Sequence, residues 1–269
     1  MNEISTVELK SFFPEFEAVH LIDCFGPLLL TLEDVERELK RGTSEADYLV
    51  GTDYHDLLVG GAGDDTLLGS KGRDELRGGA GVDEADYSGS SCGVSVDLAG
   101  GTGWGGHAHG DTFSGIENLR GSNYADTLEG SRFDNRIDGG NGADLIRGQG
   151  GNDNLRGGVG AANDTLFGGD GDDELYGGKG QNSLTGDAGA DVFKLYFIDT
   201  ETTIEDFTVG EDTLHLIGFF GYEYFIKNAV DTGGNVVFSR YNDYLNYTST
   251  LVIENLQLAD LSRNDFMFN

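Results

Sequence analysis

The sequence contains few prolines, cysteines and basic residues. Only 2 of its 269 residues are proline, which excludes a proline-rich linker or a collagen-like chain despite the abundant glycine. The two cysteines, Cys24 and Cys92, are too few for a disulfide framework, and they can either pair or remain free thiols. Lys and Arg number 17 against 48 Asp and Glu, a net charge of −31. Phosphate groups would be repelled, so nucleic acid and anionic membranes are unfavourable partners, whereas cations are favourable ones.

Targeting and membrane-spanning signals are also lacking. Residues 1–8 have no basic stretch of the kind that opens a signal peptide. The most apolar early segment, residues 18–30, is interrupted by His20, Asp23 and Pro27, which predicts no membrane span. Hydrophobic residues make up 38% of the chain, too many for a generic acidic disordered tail. The sequence therefore predicts a folded chain.

Glycine is abundant, with 44 residues, and much of it follows a nine-residue repeat. Five units occupy residues 42–86, and eight units occupy residues 121–194, where the fifth unit carries two extra residues placed most simply at Ala161 and Ala162. The sixth position of the 13 units is Asp 11 times and Asn twice, and the eighth is almost always a large apolar residue. Such regularity predicts a repeat architecture rather than a single globular core.

The period of nine has a direct physical interpretation. Two units per coil would give two short strands joined by two turns, with the eighth-position side chains stacked between two parallel sheets. Glycine suits these turns because it tolerates positive φ and close backbone approach. Sixth-position carboxylates 18 residues apart would then be neighbours and would repel one another unless a cation lay between them. Carboxylate and carbonyl oxygens together suit Ca²⁺, which takes six to eight oxygen ligands, better than Mg²⁺.

These units resemble the RTX (repeats-in-toxin) calcium-binding nonapeptide G-G-x-G-x-D-x-U-x. Residues 60–68, 139–147 and 168–176 match it at every fixed position. The resemblance implies an all-β parallel β-roll, a two-sheet β-solenoid, in which each of several Ca²⁺ ions lies between the turns of successive coils. Each ion would take sixth-position carboxylates from both turns and carbonyls from the glycine-rich turn. Seven ions would cancel about 14 of the 31 excess negative charges.

The resemblance also assigns the candidate metal ligands residue by residue. The sixth-position side chains are Asp56, Asp65, Asp74, Asp83, Asp126, Asp144, Asp153, Asp164, Asp173, Asn182 and Asp191. The turn glycines are Gly61, Gly63, Gly140, Gly142, Gly151, Gly158, Gly160, Gly169 and Gly171. The strongest sites are expected at Asp65, Asp83, Asp144, Asp153, Asp164, Asp173 and Asp191. The first two turns of each array lack the fourth-position glycine and should bind calcium weakly or not at all.

The remaining segments suggest three domains. Residues 1–41 should form a short helical cap, in which Leu32, Val35 and Leu39 share one face before Gly42. Residues 42–194 should form one continuous β-roll with a wide rung at 87–120 between its arrays. The wide rung contains a glycine loop, 100–110, with Trp104, His107 and His109. That loop is either a ligand site or, the simpler interpretation, a flexible loop with incidental side chains.

Residues 195–269 should form a β-rich cap, since aromatic residues become dense and the glycine repeat stops. This segment resembles the C-terminal domain of serralysin-type RTX proteins, which implies an uncleaved type I secretion signal. Asp265 followed by Phe266, Met267 and Phe268 is similar to the acidic residue and hydrophobic trio that end that signal, although Asn269 is an addition. The implied partner is a type I exporter, and the implied location is extracellular.

The sequence thus favours a secreted calcium-binding protein without enzymatic activity, folded by extracellular calcium and serving as a binding or structural module. A targeting module of a secreted protease, lipase or polysaccharide-modifying enzyme such as an alginate epimerase is the alternative, with a polysaccharide or cell surface as partner. An enzyme within the solenoid is a third hypothesis. It is weakened because no acid/base pair is evident and the five histidines form no H-E-x-x-H motif.

Overall fold

The computed structural model describes residues 37–196, 201–218, 221–242 and 247–268. Within these ranges the chain winds into a parallel β-solenoid of about nine turns, as the resemblance implied. One sheet has 14 strands and the other has 10. We call them sheet 1 and sheet 2, and we number the strands in chain order.

Most strands are only three to seven residues long, because each nine-residue unit supplies one strand and one turn. Sheet 1 contains β1 (Glu38–Arg41), β3 (Asp56–Ala62), β5 (Glu75–Ala80), β7 (Ser95–Asp97), β8 (Thr102–Trp104), β9 (Thr112–Ser114), β11 (Thr127–Glu129), β13 (Leu145–Gly150), β15 (Thr165–Asp170), β17 (Gln181–Ala188), β19 (Glu201–Ile204), β21 (Val230–Asp231), β22 (Val236–Asn242) and β23 (Tyr247–Ile253). Sheet 2 contains β2 (Tyr48–Val50), β4 (Thr66–Leu68), β6 (Glu84–Asp86), β10 (Asn118–Arg120), β12 (Arg136–Asp138), β14 (Asn154–Arg156), β16 (Glu174–Tyr176), β18 (Val192–Tyr196), β20 (Thr213–Ile217) and β24 (Phe266–Phe268).

The register of the strands follows from the repeat. Strands of successive coils pair in parallel with an offset of 18 residues, as Leu58 does with Leu76 and Leu49 with Leu67. The offset becomes 20 where the longer unit intervenes, as in the pairing of Leu155 with Leu175. The eighth position of every unit is therefore superposed on the same position of the next coil.

The eighth-position side chains form the core between the two sheets. Each is wholly buried, and full burial of such a side chain stabilises a fold by about 1.5–3 kcal/mol. These residues are Leu58, Leu67, Leu76, Ala85, Leu128, Ile137, Ile146, Leu155, Leu166, Leu175, Leu184 and Phe193. One large side chain per strand makes a long but thin core.

The wide rung continues the solenoid. Sheet 2 passes directly from β6 to β10, while sheet 1 inserts the antiparallel strand β8 between β7 and β9. Part of the supposed glycine loop is therefore a strand. Trp104 is exposed, with its ring 5.6 Å from that of His109. Cys92 is buried, and Cys24 lies outside the described residues.

The first described residues depart from the predicted helix. Glu38–Arg41 form strand β1, paired in parallel with β3, so the helical assignment of Leu39 is wrong. The reason is that Lys40 aligns with Leu58 at the end of the core and its Nζ donates to the Val50 carbonyl of β2 at 2.5 Å. The long side chain thus bridges the two sheets. Leu32 and Val35 lie outside the described residues.

Both sheets continue past residue 194. A short helix, α1 (Tyr222–Asn228), follows β20, and the sequence did not predict it. Its Phe225 ring lies 4.9 Å from that of Phe238 and 5.0 Å from that of Phe266, which explains the density of aromatic residues. Short 3-10 helices occur at Gly106–Ala108, Leu258–Asp260 and Arg263–Asp265. No helix in the described ranges has the length and apolar character needed to cross a membrane.

Candidate metal sites in the turns

The sixth-position side chains form ladders along both edges of the solenoid. On each edge one side-chain oxygen accepts the sixth-position backbone N–H of the preceding coil. Asp173 Oδ1 accepts from Asp153 N at 2.7 Å, and Asp191 Oδ1 accepts from Asp173 N at 2.9 Å. The predicted ligands of successive coils are therefore brought together, with side chains that are almost fully buried.

The second side-chain oxygen of the sixth position defines two kinds of turn, which together include 11 of the 13 nonapeptide turns. In seven turns Oδ2 is buried and has no hydrogen-bond partner, and we call these the open turns. They end at Asp65, Asp74, Asp83, Asp144, Asp153, Asp173 and Asp191. A buried carboxylate oxygen without a partner is costly, so each open turn requires a proton or a cation.

In the other kind, the closed turns, the aspartate is satisfied within its own turn. Ser122 N donates to Asp126 Oδ2 at 2.6 Å, and Thr52 N donates to Asp56 Oδ2 at 2.5 Å. The second-position hydroxyl also accepts the fourth-position N–H, as Ser122 Oγ does from Tyr124 N at 3.0 Å. The closed turns comprise residues 43–47, 52–56, 122–126 and 131–135, the last ending in Asn135.

The open and closed turns also differ in backbone conformation at positions 2 and 4. Every open turn has positive φ at positions 2 and 4, even where position 2 is Ser70, Gln149 or Asp187 rather than glycine. No second- or fourth-position residue of a closed turn has positive φ. The fourth-position glycine is required for a further reason, since a Cβ at Gly171 would collide with the Gly151 carbonyl of the preceding coil.

Carboxylate and carbonyl oxygens converge beside the first glycine of the open turns. A Cβ on Gly168 would collide with Asp173 Oδ2 and would lie 2.7 Å from the Gly186 carbonyl oxygen of the next coil. A Cβ on Gly148 would likewise meet Asp153 Oδ2 and, at 2.6 Å, the Gly168 carbonyl oxygen. The absence of a side chain at position 1 therefore leaves a small cradle lined by oxygen atoms.

Burial shifts the acidity of the open-turn carboxyls. It raises the pKa of Asp144, Asp153, Asp173 and Asp191 to about 7, mainly because the charged form loses its water. Burial and then the charge of Asp111 raise the pKa of Asp74 to about 9. Ionised carboxylates are thus unfavourable in these turns without a counter-cation.

The residues of the open turns fit calcium. Among the described residues, no three His, Cys, Asp or Glu side chains converge on one point. A cation in an open turn must therefore combine carboxylates from two coils with backbone carbonyls, an all-oxygen set that suits Ca²⁺. Glycine-rich turns supply those carbonyls without a side chain in the way.

Six of the seven turns that the sequence predicts to bind calcium most strongly are open turns. Asp164 is not among the open-turn carboxylates, and Asp74 takes its place. Asp56 and Asp126 lie in closed turns, and the amide of Asn182 donates to the Gly178 carbonyl at 3.0 Å. The nonapeptide with two extra residues, which ends its turn at Asp164, has Ala162 rather than Gly160 at position 4. This follows because a Cβ on the position-4 glycine of the next coil, Gly180, would collide with the Ala162 carbonyl. Gly160 accordingly lacks a positive φ.

Sequence reasoning missed ladder members outside the nonapeptides. Asp111 Oδ1 accepts from Asp74 N at 2.7 Å, and Tyr87 donates to Asp111 Oδ2 at 2.8 Å. Glu117 Oε2 accepts from Asp83 N at 3.0 Å, and Asp212 Oδ1 accepts from Asp191 N at 3.0 Å. Asp212 had a detectable signal, because a glycine precedes it by two residues as in the repeat.

The parallel two-sheet solenoid and its oxygen-lined turns together define a calcium-binding β-roll. A scan of protein families finds the RTX calcium-binding nonapeptide repeat at residues 41–76, 50–85, 111–132, 120–155, 129–162 and 159–193. Residues 41–85 and 111–193 therefore consist of RTX calcium-binding nonapeptide repeats. No curated protein has significant sequence similarity to the chain.

Two solved structures have similar repeat regions. The extracellular lipase LipA from Serratia marcescens is 17% identical with a TM-score of 0.33; the match covers 87% of this chain and 40% of the lipase. The AlgE6R3 subunit of the Azotobacter vinelandii mannuronan C5-epimerase is 24% identical with a TM-score of 0.33, over 54% of this chain and 78% of the subunit. The chain thus spans less than half of the lipase's length.

Proposed function

We propose that this protein is a secreted calcium-binding β-roll module, folded by extracellular calcium and without enzymatic activity of its own. The observation that carries the proposal is the set of seven buried, unpartnered carboxylate oxygens in the open turns. A fold that buries seven such atoms is complete only when a charge partner is present.

The thin core explains why folding should depend on the ion. Most strands of the repeat contribute one fully buried apolar side chain, so apolar burial per residue is modest. Against it stand buried carboxylates such as Asp144 and Asp173, whose pKa of about 7 reflects the cost of ionisation. Calcium removes this cost because its double positive charge lies between the carboxylates, so its binding free energy becomes folding free energy.

A calcium titration followed by far-UV circular dichroism tests this function. The β-signal should appear cooperatively as calcium rises and should vanish when chelator is added. Magnesium at equal concentration should have a much smaller effect because it retains its waters and requires smaller octahedral sites. A chain that shows the same folded spectrum in excess chelator would contradict the proposal.

We also propose export by a type I system that reads the segment at 265–268. In the folded chain Asp265 is buried and Phe266–Phe268 form β24 in sheet 2, where Met267 is exposed, so the acidic residue of the segment is accessible only before folding. Low cytosolic calcium would keep it accessible inside the cell. Deleting residues 261–269 should abolish secretion, and fusing residues 195–269 to a slow-folding passenger should export it. Normal export of the truncated chain would contradict this route.

A targeting module for a polysaccharide-modifying enzyme is the second candidate, and the outer face of sheet 2 favours it. There the Tyr176 and Tyr196 rings lie 5.0 Å apart, and Arg156 is the neighbour of Tyr176 on the adjacent strand. Aromatic and basic side chains of this kind suit acidic sugars. An alginate column should retain the wild-type protein but not the Tyr176→Ala variant. Alginate incubated with the protein should give no unsaturated products, since the module would bind the polysaccharide without cleaving it.

A further inference from the structure

The wide rung interrupts the nonapeptide repeat, yet its last turn faces an open turn of the first array. We propose that the short turn Gly115–Glu117 completes a calcium site with Asp83, so that the calcium row crosses the gap between the arrays. This inference rests on the proposed function, because it adds one non-repeat site to the same calcium-dependent fold.

Asp83 requires a partner that the repeat does not provide. Its side chain is fully buried, and its Oδ2 has no hydrogen-bond partner. Elsewhere on this edge the open turns that end at Asp65, Asp153 and Asp173 are each followed by a nonapeptide turn, and the one that ends at Asp191 is followed by the turn that carries Asp212. After Asp83 the next turn on this edge is Gly115–Glu117, which contains no aspartate.

Backbone contacts show that this short turn occupies the place of a full repeat turn. Asn118 N donates to the Asp83 carbonyl at 2.8 Å, just as Glu84 N donates to the Asp65 carbonyl at 2.8 Å. A Cβ on Gly78 would collide with the Gly115 carbonyl oxygen, as a Cβ on Gly60 would meet the Gly78 carbonyl oxygen. Gly115 therefore stands at position 1 and Glu117 at position 6, although two residue steps separate them instead of five.

The longer glutamate side chain makes up for the shorter turn. Glu117 Oε2 accepts from Asp83 N at 3.0 Å, the contact that Asp83 Oδ1 makes with Asp65 N at 2.8 Å. Within the described residues, Glu117 Oε1 has no hydrogen-bond partner. The carboxylates of Asp83 and Glu117 and the Gly115 carbonyl are thus gathered at one place, and the two negative charges match one Ca²⁺.

The opposite side of Glu117 shows what a turn without a metal looks like. There Asn135 Nδ2 donates to the Glu117 carbonyl at 2.6 Å, so an amide N–H lies where a cation would otherwise lie. Asn135 also accepts from Ser131 N at 2.6 Å and has no orphaned atom. The proposed site is therefore confined to the Asp83 side of the short turn.

Calcium stoichiometry of the full chain tests the assignment. Glu117→Gln keeps the side-chain length and an acceptor for Asp83 N but removes the charge, and Glu117→Ala removes the side chain. Both variants should bind one Ca²⁺ fewer per chain than the wild type, measured by equilibrium dialysis with metal analysis, and both should fold at a higher calcium midpoint.

Glu84→Gln is the matched control. It removes the same charge from the outer face of the neighbouring strand, opposite Asn118, without touching the turn. It should keep the wild-type ion count and midpoint. The inference is overturned if both Glu117 variants bind as many calcium ions as the wild type and fold at the same calcium midpoint as Glu84→Gln. A wild type that binds no calcium would instead overturn the proposed function.

Discussion

The substitution Asp173→Asn should have opposite effects on the ion-free and the calcium-bound chain. Asparagine keeps an acceptor for Asp153 N, but it replaces the unpartnered Oδ2 with an uncharged NH₂ group. Burial raises the pKa of Asp173 from 3.8 to about 7 in the ion-free fold. At pH 7 this corresponds to an ionisation cost on the order of 4 kcal/mol, which the amide avoids. The calcium-bound chain instead loses a charged ligand.

Two titrations measure the two effects. In chelator, the osmolyte TMAO should fold Asp173→Asn at a lower concentration than wild type, since osmolytes favour compact states. In a calcium titration the same variant should need several-fold more calcium, because a neutral amide binds the ion less well than a carboxylate. Circular dichroism follows both transitions.

Asp126→Asn is the matched control in a closed turn. Its Oδ2 accepts from Ser122 N at 2.6 Å and its Oδ1 from Val94 N at 2.7 Å, so the amide would place a donor against a donor. It should destabilise the ion-free fold by about 1–3 kcal/mol, opposite in sign to Asp173→Asn. If the two substitutions shift the osmolyte midpoint in the same direction, the distinction between open and closed turns is refuted.

Two further predictions concern pH and the turn backbone. The raised pKa of about 7 at Asp144 and Asp153 means that protonation stabilises the ion-free fold fully below about pH 4 and that this stability is lost as pH rises through 7. The β-signal of the chain in chelator should increase on acidification from pH 8 to 5. Over the same range the calcium midpoint for folding should rise, because protons compete with calcium for the carboxylates. Spectra and midpoints that do not depend on pH would contradict this prediction. Gly171→Ala should destabilise the calcium-bound fold more than Gly210→Ala, because both have positive φ but only Gly171 faces a carbonyl; equal losses in thermal melts would show that strain alone matters.

Much of the fold could be predicted because the repeat encodes it locally. Every unit carries its own turn glycines, its core residue and its carboxylate, and stacking at a period of 18 follows from two units per coil. The core residues Leu58 and Leu76 and the candidate ligands Asp153 and Asp173 were therefore identified correctly as neighbours.

What the sequence did not reveal depends on contacts between distant segments. Glu117 is identified as a ladder member only once β10 is paired with β6, and β1 is identified as a strand only once it is paired with β3. The closed turns did have a local signal, a Ser or Thr at position 2 combined with a residue other than glycine at position 4. Its meaning requires knowing that the backbone N–H there bonds the aspartate of the same turn, as in the pair Ser122 and Asp126.

Locating the bound ions tests the central claim most directly. A crystal grown in calcium, with anomalous diffraction collected to identify the metal, should show ions beside the Oδ2 atoms of the open turns and none at the closed turns. Ions beside Asp153, Asp173 and Asp191, with none beside Asp56, Asp126 or Asn135, would agree with the account. A folded, calcium-saturated chain without ions in the open turns, or with ions in the closed turns, would contradict it.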